Sequence, residues 1–289
     1  MAVLSAAKTE DLVTLLELFP VGKLKEFWPK YKGHKEDVAK AIAEFQTSAE
    51  IVEFAKRYFS CCRQHVYVFS HDDEIKKLPT AGTASGERVA EELEKNKGFA
   101  LFLYWAQFTA IVTQPYEDVE LKFLWPFRFN FTKAAATVRL AIMEKKLGAY
   151  LNDRKYVAPR KITDEAQLIA SMLKSVEGQL AKMDLHKGIK KLWKDNLIDC
   201  VRVSYKEPDS TESTTMDEEA GIREKKPALY EKLLKLPLLD AKFKVKSKDL
   251  SSATVFFAEP GEGYLGFPRY TEQEGDTDNV VNEIIKHNS

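Results

Sequence analysis

The sequence predicts an α+β protein: a helical N-terminal module, then a mixed, largely antiparallel sheet domain, then a smaller C-terminal α+β part. Three observations carry this prediction. Apolar residues recur at helical spacing through the first 60 residues. Aromatic and β-branched residues cluster in long runs through the middle, as strands require. Short helical and strand-like segments alternate toward the C-terminus.

The helical module reads as four short helices. Thr9 is placed to cap the first, whose apolar positions include Leu12, Val13, Leu15, Leu16 and Phe19, and Pro20 stops it. The second covers 23–31, with Leu24, Phe27 and Trp28 on one side and Pro29 bending or ending it. Val38, Ile42 and Phe45 form the apolar stripe of the third. Ser48 opens the fourth, which turns Ile51, Val52, Phe54 and Tyr58 toward the core.

At Gln64 the periodicity changes, and 66–69 reads as a buried strand. Residues 79–86 are small and predict an exposed loop. A helix is expected near 87–96, followed by antiparallel strands at 99–113 and 119–131. Pro126 marks the second of these as bulged or at an edge. Helices are expected at 134–147 and 164–183, and a strand at 197–205. Residues 207–219 are acidic and hydroxyl-rich without an apolar period, and read as a disordered or long surface loop. A short helix at 228–236, strands near 241–245 and 253–258, and a helix around 280–286 complete the chain. The expected division is a helical module at 1–62, a central α+β domain at 63–195, and a C-terminal α+β part at 196–289 with a flexible acidic loop at 206–226.

Lys and Arg together number 44 and equal Asp and Glu, so net charge pulls the chain toward neither nucleic acid nor an anionic membrane. Any such surface must come from local clustering. Cys61 and Cys62 are adjacent, and a disulfide between neighbours is strained, so the three cysteines fit a reducing compartment. The first residues lack the pattern of a signal peptide, and the most apolar stretch, 99–112, is too short to span a bilayer. An intracellular protein, cytoplasmic or nuclear, without membrane contact is expected.

Several patterns suggest chemistry. Gly261-Glu262-Gly263-Tyr264-Leu265-Gly266 matches the dinucleotide-binding spacing literally, but Phe267-Pro268 follows and the remaining chain is too short for a βαβ unit. It predicts a turn, and no cofactor is expected. Cys61, Cys62, His65 and His71 lie close in sequence, yet zinc ligands usually come as spaced pairs, so the cysteines are expected reduced and metal-free. Residues 71–74, His-Asp-Asp-Glu, read as an exposed acidic turn. No Gly-x-Ser-x-Gly elbow or phosphate-binding loop occurs, and no catalytic residue is assigned. The densest basic stretch carries Lys23, Lys25, Lys30, Lys32, Lys35 and Lys40 interleaved with Phe27, Trp28 and Tyr31. Those residue types suit phosphate contacts around an aromatic-cored helix pair.

Leu24-Lys25-Glu26-Phe27, then Gly33-His34-Lys35-Glu36-Asp37-Val38 and Ile42, resemble the SAP or helix-extension-helix DNA-binding modules. A second resemblance runs from Pro20–Leu24 through Glu36-Asp37-Val38 to Arg63-Gln64-His65-Val66-Tyr67-Val68-Phe69. In order and character these segments are similar to the centromere protein N-like kinetochore proteins. That resemblance implies a pyrin-like helical start followed by α+β domains, and binding of DNA, centromeric nucleosomes and protein partners without enzymatic activity. The expectation is therefore a binding or adaptor protein contacting DNA through the six lysines and a protein partner through the C-terminal part. Two alternatives stay open: an enzyme with a site near Cys61, Cys62, His65 and His71, and an interaction scaffold without nucleic acid.

Overall fold

The computed structural model describes residues 2–71, 78–80, 86–113, 116–143, 155–161, 164–176, 180–208, 210–215, 220–252 and 255–288. In chain order the helices are α1 (Ala2–Ser5), α2 (Thr9–Leu16), α3 (Val21–Phe27), α4 (Lys35–Phe45) and α5 (Ser48–Tyr58). Strands β1 (Gln64–His71), β2 (Gly86–Glu94), β3 (Lys97–Thr113), β4 (Tyr116–Thr132), β5 (Ala136–Ala141) and β6 (Tyr156–Lys161) follow. Then come α6 (Glu165–Lys174), β7 (Leu180–Lys182), α7 (His186–Lys194), β8 (Ile198–Lys206) and β9 (Thr211–Thr215). The chain closes with α8 (Ile222–Lys225), α9 (Pro227–Leu233), β10 (Leu238–Val245), β11 (Val255–Glu259), β12 (Tyr264–Phe267) and α10 (Asp276–Asn288). The fold is α+β, with the N-terminal helices and antiparallel strands that the sequence predicts.

The chain gathers into two compact units, each discontinuous in sequence. The first comprises 1–56, 75–129 and 140–177. Its helices form where the apolar period predicts, and their caps explain where they start. The first cap is supplied by Asp11 rather than Thr9: its carboxylate accepts the Lys8 amide at 2.8 Å, and Thr9 lies inside the helix. Asp37 does the same for His34 at the start of α4, at 3.2 Å. Thr47 and Glu50 form a reciprocal box ahead of α5, with the Thr47 amide and hydroxyl both donating to Oε2 of Glu50 at 2.8 Å. Phe54 packs between Phe19 and Phe27, at 5.0 and 4.8 Å between ring centres.

In the same unit β3 pairs antiparallel with β2 on 97–104 and with β6 on 108–112. Trp125 lies edge-on to Phe127 at 4.6 Å and donates its indole N–H to the Ala141 carbonyl at 2.7 Å. The helix expected at 87–96 is strand β2. Its Glu, Ala and Leu content favours helix locally, but the chain reverses at Lys95-Asn96, with Asn96 at φ 64°, and the segment pairs with β3 instead, with a bulge at Val89. Gly86 is where the Tyr104 ring lies across the strand: a Cβ there would come within 2.2 Å of the ring. Among the described residues of 164–183 the helix is α6, capped by Asp164, whose Oδ1 accepts from the Ala166 amide at 2.9 Å.

The second unit comprises 57–74, 130–139 and 178–289. Its strands run β1-β12-β11-β10-β8-β9, with β7 pairing the end of β1. One face carries a core of Val66, Val68, Phe243, Phe256, Leu265 and their neighbours, closed by Trp193 of α7, Leu233 of α9 and Ile284 of α10. Trp193 is fully buried, donates to Asp199 at 2.9 Å and stands edge-on to Tyr230 and Phe243.

The helix expected at 134–147 is strand β5 where described, and 144–147 lie outside the described residues. Complete burial of its six residues selects extended pairing over helix, and buried Arg139 ion-pairs with Asp278 of α10. The acidic stretch at 207–219, expected without secondary structure, carries β9. Its β-branched threonines pair in register with β8, from Arg202 opposite Thr215 to Lys206 opposite Thr211. Residue 209 and residues 216–219 lie outside the described residues, as do 81–85 of the loop expected at 79–86. The glycine motif is the expected turn: a short 3-10 turn joins β11 to β12, and Gly263 sits at φ 64°. A Cβ on Gly263 would meet the Val68 and Met183 carbonyls at 2.6 and 2.9 Å, so only glycine allows the approach.

Candidate nucleic-acid interface

The six sequence-predicted lysines all fall on α3, α4 and the segment between them, and these two helices pack against each other. Lys25, Lys30, Lys32 and Lys40 are exposed, while Lys23 and Lys35 are half-buried. Lys23 and Lys40 are engaged by carboxylates on their own helices. The Lys23 ammonium lies 2.8 Å from Glu26, and that of Lys40 lies 2.8 Å from Glu36. The hydrogen bond that Lys40 donates to Glu36 raises its pKa, so Lys40 stays charged throughout the neutral range. With Asp37 beside them, the cations of this surface are interleaved with acids.

The aromatic residues of this hairpin are arranged differently from what periodicity predicts. Phe45 falls on the stripe of Val38 and Ile42, yet it is 69% exposed at the last position of α4. Its ring is parallel to that of Trp28 within 2°, at 6.2 Å, and Lys30 lies 5.9 Å from the Trp28 ring centre. Tyr31 is exposed beside them. Gly33 permits this compact turn, because a Cβ there would come 2.6 Å from the Tyr31 ring and 2.9 Å from Asp37. The result is an aromatic surface bordered by exposed ammonium groups, able to meet a phosphate backbone.

Cys61 and Cys62 are fully buried, and Cys61 Sγ donates to the Gln273 carbonyl at 3.7 Å. His65 stands edge-on to Tyr264 at 5.6 Å, while Nε2 of His71 donates to the Thr132 carbonyl at 2.8 Å. Asp72, Asp73 and Glu74 lie outside the described residues. Among the described residues no three His, Cys, Asp or Glu side chains converge as a metal site. Cys200 is also buried, and that burial pushes its thiol pKa far up, so it stays protonated. Among the described residues no helix is long and apolar enough to cross a membrane.

Comparison with protein-family models, curated proteins and solved structures finds no match for this chain.

Proposed function

We propose that this chain is a non-enzymatic, intracellular binding protein that contacts duplex DNA through the α3–α4 hairpin and a protein partner through its C-terminal part. The observation that carries the reading is the exposure of Lys25, Lys30 and Lys32 on the hairpin, with Lys30 lying over Trp28 of the Trp28–Phe45 stack. Ammonium groups beside rings that project outward suit phosphate contact rather than core packing. The resemblance to the centromere protein N-like and SAP-like modules points to the same ligand. Burial of both vicinal thiols favours binding over the enzyme alternative, since neither sulfur reaches a surface where substrate could meet it.

The test is fluorescence anisotropy with labelled duplex DNA at low and at physiological salt. Each phosphate neutralised contributes roughly 0.9 to the logarithmic salt slope, so about four contacts make a fourfold rise in salt weaken binding on the order of a hundredfold. Reversing Lys32 and Lys35 to Glu should remove most of the affinity while circular dichroism stays unchanged. Absence of duplex binding at low salt by the intact chain would leave these lysines as a solvated helix surface.

A further inference from the structure

The second unit's sheet buries one face and leaves the other facing outward, and the outward face has a distinct composition. Register places its residues in rows across the strands. Tyr67 of β1 lies opposite Tyr264 of β12, Phe257 of β11 opposite Lys242 of β10, and Lys242 opposite Arg202 of β8. Alternation then adds Lys244 of β10 and Lys206 of β8 to the same side, since side chains two apart share a face. The alternate residues Val66, Leu265, Phe256, Phe243 and Val203 point into the core behind them.

Two features distinguish this face from an ordinary solvated sheet. The first is the geometry of its rings. Gly266 lies two residues beyond Tyr264 on the same side, and a Cβ there would meet the Tyr264 hydroxyl at 2.9 Å and ring carbon Cζ at 3.5 Å. The Tyr264 ring therefore reaches along the strand over the glycine. Tyr67 leans against it at 5.3 Å between centres. The second feature is charge. Arg202 and Lys242 both lie over the Phe257 ring, at 5.6 and 5.7 Å from its centre. With Lys206 and Lys244 they stand beside two acids of this face, Asp240 and Glu259, among the described residues. Arg202 is half engaged by Asp240, through a single 3.3 Å contact.

We propose that this face binds a single strand of nucleic acid, with bases stacking on Tyr264, Tyr67 and Phe257 and phosphates running along Arg202, Lys206, Lys242 and Lys244. Flat ring surfaces flanked by cations are what an unpaired strand needs, because every base offers a π-face and every nucleotide one negative charge. A duplex hides its base faces and gains only the charge. The site is separate in sequence from the α3–α4 lysines and does not depend on their reading. Arg202 and Lys242 leave Phe257 for phosphate as a base takes their place, so the cations shield the ring until the ligand arrives.

The experiment is anisotropy of the full chain with labelled oligo(dT), oligo(U) and a duplex of equal length. Intact protein is expected to bind at least one single strand at low salt, and the tighter arm identifies the sugar preferred. Tyr264→Ala should weaken that binding about tenfold. Gly266→Ala should weaken it in the same direction by lifting the ring. Arg202→Glu with Lys206→Glu should weaken it more steeply, and Lys32→Glu with Lys35→Glu should leave it unchanged. As a measurement that needs no variant, photocrosslinking a halogenated oligo(U) to intact protein should label the peptide that contains Tyr264. Failure of both single strands to bind would overturn the proposal. Binding that is lost with the Lys32 and Lys35 reversals but insensitive to Tyr264→Ala would overturn it too, as would crosslinks confined to residues outside this face. Loss of duplex binding alone bears on the α3–α4 hairpin and leaves this face standing.

Discussion

The α3–α4 hairpin and the open face of the β1–β12–β11–β10–β8–β9 sheet both display cations beside aromatic rings, but they hold them in different ways. On the hairpin, helical geometry sets Lys23 and Lys40 one turn from Glu26 and Glu36, and each is bound to that carboxylate. The remaining exposed lysines are long, mobile point charges. On the sheet, register fixes the spacing, and Arg202 and Lys242 both rest over Phe257, with Arg202 also contacting Asp240. A surface of mobile ammonium groups suits the regular charge of a duplex. A fixed row of rings and cations suits bases that can be laid flat.

The largest way to break this comparison is through the core behind the sheet. Trp193→Ala removes a fully buried ring that braces Tyr230 and Phe243 and leaves the Asp199 carboxylate short of a donor. A loss of about 3–5 kcal/mol is expected in urea melts, with single-strand binding falling as the sheet unfolds. Retained single-strand affinity in that variant would detach the binding from the sheet. Next in size is the hairpin. The Lys32→Glu, Lys35→Glu pair should cost duplex affinity on the order of a hundredfold at low salt, read by anisotropy, with a shallower salt slope for what remains.

A smaller effect sharpens the contrast in how the helices are held. Thr47→Ala removes the side-chain half of the box ahead of α5 and should lower stability by about 1 kcal/mol, with DNA affinity changing little. The smallest is a pH effect at the same cap. Hydrogen bonds from Thr47 hold the Glu50 carboxyl below its usual pKa. A depressed carboxylate contributes stability above its unfolded pKa, about 4.3, and that contribution is lost as pH falls through the lower folded value. Acid titration of the intact chain should therefore show a small loss of stability below about pH 4 that the Glu50→Gln variant lacks. Identical acid profiles would mean the bond adds nothing to folding.

Much of the helical architecture was legible from apolar spacing. Leu12, Val13, Leu15 and Leu16 are buried together, as are Val38 and Ile42, because a 3.6-residue period places them on one side before any partner is known. β3 and β4 were legible for the same kind of reason, through aromatic and β-branched content. β2, β5 and β9 were not. Their Ala, Glu, Leu and polar residues favour helix or loop in isolation, and only a neighbouring strand offering unpaired amides and carbonyls makes extension the lower-energy state. The candidate lysines were visible because they are contiguous, whereas the exposure of Phe45 broke the period that predicted its burial.

What the sequence by itself determined is therefore what is local: the apolar faces of the short helices, the turn at Gly263, the absence of net charge, and the clustering of lysines between residues 23 and 40. The tertiary structure decided which residues far apart in the chain become neighbours. Tyr67, Arg202, Lys242, Phe257 and Tyr264 span almost 200 positions and share a face only because antiparallel register brings them into rows. A strand's side-chain period of two reports which residues lie together, but not which strand will lie beside it. That choice is settled by burying the opposite side against α7, α9 and α10, a free energy that belongs to the whole core rather than to any one segment.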